Sequence, residues 1–114
     1  MSNNIVKLNR LSDNHIELNI TTKDGLVINP KYKWLRIYLK TGSKILKVVN
    51  DPSGIETKYS HIEGDKLIID IPSKKLNEGI IEYMIETRNN DENFNDKFQN
   101  IFSLDYVQTN IELV

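Results

Sequence analysis

The chain predicts an all-β fold: a single antiparallel β-sandwich, immunoglobulin-like or jelly-roll-like, of seven to nine short strands forming one domain over residues 1–114. Apolar and polar residues alternate in run after run, the two-residue period of strands with one buried face. Turn-forming clusters punctuate these runs at spacings of about 8–12 residues. Alanine, the best helix former, is absent while isoleucine is abundant, and β-branched residues suit a pleated, half-buried surface.

Residues 5–8 make a short first strand, and Leu11-Ser12-Asp13-Asn14 reads as a turn because Asp and Asn tolerate tight backbone conformations. Residues 15–21 place Ile16, Leu18 and Ile20 on one face and His15, Glu17, Asn19 and Thr21 on the other. Lys23-Asp24-Gly25 turns the chain into a short run at 26–28, which Asn29-Pro30 interrupts. Residues 34–40 set Leu35, Ile37 and Leu39 opposite Trp34, Arg36, Tyr38 and Lys40. Thr41-Gly42-Ser43 leads into 45–49, and Asn50-Asp51-Pro52-Ser53-Gly54 is a strong turn cluster.

A strand over 56–62 carries Thr57 and Tyr59, closed by Glu63-Gly64-Asp65. Leu67, Ile69 and Ile71 then alternate with Lys66, Ile68 and Asp70 until Pro72. After Asn77-Glu78-Gly79, Ile81, Tyr83 and Ile85 fall on one side with Glu82 and Glu86 on the other, which predicts a hairpin of the two runs. An Asn/Asp-rich loop covers 89–96, and Phe102, Leu104 and Tyr106 alternate toward a last run at Ile111 and Leu113. Short helices are the alternatives at 72–77 and 93–100, where β-branching is weak.

Composition narrows the function classes. Lys and Arg number 15 against 16 Asp and Glu, without a long block of either sign, so no basic stripe marks a nucleic-acid surface. The absence of Cys removes disulfides and thiolate metal sites. Residues 1–10 lack the layout of a signal peptide, and no stretch approaches the ~20 apolar residues of a membrane span, so no membrane partner is expected.

No constellation of residues signals a reaction. Asp91, Asn93 and Asn95 match the first three ligand positions of a calcium loop, but Asp96 replaces the glycine and Phe102 the closing acid. His15 and His61 are the only imidazoles, with Glu17 and Glu63 the nearest acids that could complete a metal site. No Gly-x-Ser-x-Gly elbow and no glycine-rich phosphate loop occur. The expectation is a non-enzyme with no catalytic residues, metal or cofactor. The candidate interaction residues are aromatic or sit beside aromatics: Trp34, Arg36 and Tyr38 on one strand face, Tyr59, and Phe94 and Phe98 in the polar loop region. Trp34 has a second reading, as the buried anchor of the sandwich.

Residues 65–71, Leu76-Asn77-Glu78-Gly79 with the strand that follows, Phe94-Asn95-Asp96 and the final 111–114 resemble a pattern in small bacteriophage virion proteins. The pattern is that of the β-sandwich module at the N-terminus of baseplate upper-protein-like components, and of short fibre proteins in phages of the Bacteroides group, including crAss-like phages. Asp96-Lys97 departs from the Asp-Gly of that pattern. The resemblance implies a virion structural protein, made in the host cytoplasm. It would be a homo-oligomeric head or tail fibre component, or an adaptor attaching to capsid, collar or baseplate proteins. The alternative is a carbohydrate-binding or surface-adhesion module stacking sugars on Trp34, Tyr38 and Tyr59.

Overall fold

The computed structural model describes residues 4–19, 29–90, 98–102 and 106–114, with side chains described outside 88–90 and 98–102. Among these residues nine strands form two sheets. In the larger, β1 (Val6–Leu8), β9 (Val107–Leu113), β7 (Gly79–Asn90), β3 (Leu35–Thr41) and β4 (Lys44–Asn50) lie side by side in that order, and β8 (Phe98–Phe102) also pairs with β7. The smaller sheet orders β2 (Asn14–Leu18), β6 (Lys66–Ile71) and β5 (Ser60–Glu63). The all-β sandwich is present with one departure from a purely antiparallel design. β1 and β9 run parallel, with Val6 opposite Ile111 and Leu8 opposite Leu113.

The buried faces fall where the alternation places them. Leu35, Ile37 and Leu39 of β3, Leu46 and Val48 of β4, Ile81 of β7 and Leu113 of β9 form one core with Ile16, Leu67, Ile69 and Ile71 of the smaller sheet. Burying each of these side chains contributes about 1.5–3 kcal/mol, which offsets the ordering of many short strands.

The strands at 66–71 and 81–86 do not form the expected hairpin. β6 pairs with β2 and β5, whereas β7 pairs with β3, β8 and β9, so residues 72–78 cross from one sheet to the other. Leu76 explains the crossing: it is buried among the core residues and pins the connection to them. Asn77 N donates to Thr41 Oγ1 at 2.7 Å, and Gly79, at φ +131°, lets the chain enter β7. The segment 72–77 is turn rather than helix, and Phe98–Phe102 is strand where a helix was the alternative.

Two boundaries also move. The strand expected over 56–62 begins at Ser60, because Asp51 gathers the preceding loop: its carboxylate accepts from Ser53 N and Glu56 N, each at 2.9 Å. Tyr59, at φ +58°, then reorients the chain toward β5. The last run, expected at Ile111 and Leu113, lies within β9 but begins earlier, at Val107, and residues 103–105 of the alternation that leads to it lie outside the described residues. The run expected at 26–28 lies outside the described residues.

Candidate interaction surfaces

The outer face of the larger sheet carries the even-numbered side chains of β3 and β7. Register sets Arg36 beside Glu86, Tyr38 beside Met84 and Lys40 beside Glu82, with Val49, Lys47 and Ile45 completing the three rows on β4. Glu86 was expected on a solvated face; it is instead fully buried. Arg36 Nη2 donates to both Glu86 oxygens, a charge-assisted contact that lets a carboxylate sit out of water. The hydrogen bond to Glu86 raises the Arg36 pKa, outweighing the burial that lowers it.

Trp34 and Tyr38 flank this pair. The Arg36 guanidinium carbon lies 5.6 Å from the Trp34 ring centroid and 5.7 Å from that of Tyr38, within cation–π range. Trp34 is only 9 % exposed, so both faces of the sheet are covered here: the core by leucines, the outside by Trp34 and its neighbours. Tyr59 packs against the core, with Lys58 Nζ 5.2 Å from its ring centroid. The three rings proposed as a sugar platform therefore do not share one open surface. Phe94 lies outside the described residues, and Phe98 opens β8 opposite Asn90.

The outer face of the smaller sheet brings the two histidines together. His15 Nδ1 lies 2.6 Å from Asp70 Oδ1 and His61 Nδ1 lies 2.8 Å from Asp70 Oδ2, so one carboxylate bridges β2, β6 and β5. His61 Nε2 is 3.1 Å from Glu63 Oε1, while Glu17 pairs with Lys66 Nζ at 3.9 Å. Hydrogen bonds to Asp70 and then Glu63 raise the His61 pKa. Burial pushes the Asp70 carboxyl up, but its bonds with His61 and His15 outweigh this and hold it below its ordinary value. Glu17 and Glu63 were the acids sequence proximity suggested; Asp70 is the one that joins the imidazoles. Among the described residues, no group of three or more His, Asp or Glu is arranged to hold a metal ion. The Asp91-Asn93-Asn95 loop lies outside them.

The two ends of the larger sheet differ in character. At the β1 end Ile5 and Val6 are 53 % and 46 % exposed, and a shallow cleft is lined by Ile5, Ile80, Gln108, Thr109 and Asn110. At the β4 end Ile45 is 54 % exposed between the exposed Lys44 and Lys47. No helix among the described residues is long and apolar enough to cross a membrane. Neither family models, nor curated proteins, nor solved structures give a match to this chain.

Proposed function

We propose that this chain is a structural, non-catalytic β-sandwich that works by association: a homo-oligomeric phage-particle component that attaches a fibre or other appendage to capsid, collar or baseplate. What supports the associative part of this reading is that the larger sheet ends in two outer strands, β1 and β4, each with exposed apolar side chains: Ile5 and Val6 by the first, Ile45 on the second. Open edges and exposed apolar side chains are the means by which sandwich modules join one another. The particle assignment is supported by the sequence resemblance in residues 65–71, 76–86, 94–96 and 111–114.

The apolar β1 end suits self-association. Sedimentation at high micromolar concentration is expected to show a stable multimer, and Val6→Lys a folded monomer. A wild-type chain that stays monomeric overturns the homo-oligomeric reading. The particle assignment requires that adjacent genes encode capsid, portal or tail proteins; neighbours of another kind overturn it.

A further inference from the structure

We infer that the open edge of β4 docks an extended, carboxylate-bearing strand of another polypeptide, which pairs with the main chain of Ile45 and Lys47. This deepens the associative reading above and rests on it.

Backbone parity defines the edge. Val49 N donates to Lys58 O and Lys58 N to Val49 O, each at 3.0 Å, so the main-chain groups of Val49 point away from β3. In an antiparallel ladder both groups of a residue point to the same side and the side alternates along the strand. The N–H and C=O of Lys47 and Ile45 therefore also point out of the sheet. The chain's own bridge stops at Val49, and no main-chain bond from Lys47 or Ile45 to a residue beyond β3 occurs among the described residues. This is a short template for strand addition, in which main-chain bonds supply affinity and flanking side chains supply choice of partner.

Charge then selects the occupant. Lys44, Lys47 and Lys58 are all exposed along this edge, and residues 44–49 contain no acid. A second copy added here would bring its own Lys44 and Lys47 against these, and edge lysines are a recognised device against self-pairing. The same lysines favour a strand with carboxylates opposite Lys47 and Lys44, while the apolar Ile45, next to Lys40 on the outer face, receives an apolar side chain between them. The two ends of the sheet thus divide their tasks: apolar for copies of itself, basic for a different chain.

The test is an NMR titration of the full chain with a short, end-blocked peptide built on Glu-Thr-Val-Glu, which in antiparallel pairing sets its glutamates opposite Lys47 and Lys44 and its valine opposite Ile45, compared with one built on Lys-Thr-Val-Lys. The glutamate peptide should shift the Ile45 and Lys47 amides most, and should bind about tenfold more weakly when salt rises from about 0.05 M to about 0.5 M. Lys47→Glu should transfer the preference to the lysine peptide. Lys47→Pro should abolish binding, since it removes an outward N–H that β3 does not use. Shifts that bypass Ile45 and Lys47, or equal binding of the two peptides, overturn the inference. A multimer that ignores the glutamate peptide overturns it while leaving the associative reading intact; peptide binding by a chain that is strictly monomeric does the reverse.

Discussion

Glu86 has no solvent-exposed surface, and its charge is sustained by Arg36, itself stacked between Trp34 and Tyr38. Removing one partner of such a pair leaves the other desolvated, so Glu86→Gln should lower unfolding free energy by about 3 kcal/mol in urea titrations. The double replacement Arg36→Met with Glu86→Leu should recover most of that loss, because apolar side chains of similar volume need no counter-charge; equal loss in both variants would show that packing rather than charge is at stake. The Asp70 cluster makes a second prediction. The His61 pKa is raised above 6.5, so its contribution is complete below that value and fades as pH rises through the folded pKa. Asp70 is held below 3.8, so its contribution is complete above that value and fades as pH falls through the folded pKa. The thermal midpoint should therefore peak between these limits. His61→Gln should flatten the alkaline side and weaken the acid side, where His15 still holds Asp70, whereas Asp70→Asn should flatten the acid side and weaken the alkaline side, where Glu63 still holds His61.

At the scale of elements, what could be read from sequence was periodicity, and what could not was partnership. Leu35, Ile37 and Leu39, or Leu67, Ile69 and Ile71, declare a buried face by their spacing, and each is buried as expected. The same spacing says nothing of which sheet receives the strand. Residues 66–71 and 81–86 looked like neighbours only because the connection between them carries the turn residues Asn77, Glu78 and Gly79; Leu76, just before them, was the apolar residue that marked a crossing. Asp70 was hidden for a related reason, since its meeting with His15 and His61 depends on the register of three strands. Glu86 escaped because alternation assigns a face without saying whether that face is covered. Gly79 provides the test at this scale. It holds φ +131°, and an added Cβ would meet no atom within 4 Å, so Gly79→Ala carries backbone strain without a clash. The expected loss is about 1–3 kcal/mol by chemical denaturation. A neutral outcome would mean that the turn into β7 relaxes to an ordinary φ.

Across the whole molecule, the two extremities of the described chain lie side by side. β1 pairs with β9 in parallel, Val114 N donates to Leu8 O at 2.8 Å, and Arg10 N donates to Val114 O at 3.1 Å. Closing this pair joins residues about as far apart in sequence as the chain allows, and loop closure makes such contacts slow to form. The β3–β4 pair, linked by a tight turn through Gly42, joins near neighbours and needs little closure. Strand pairing should thus grow outward from β3 and β4 and add β1 late. Leu8, half-buried against the core, reports on that step. Leu8→Ala should destabilise by about 1.5 kcal/mol, reading as about a tenfold faster unfolding rate with folding changed less than about twofold. Ile37→Val, inside the early pair, should instead slow folding. Stopped-flow measurements on both variants distinguish the two orders: a Leu8→Ala variant that folds slowly and unfolds at the wild-type rate would place the β1–β9 closure in the transition state, and the outward order of assembly would be wrong.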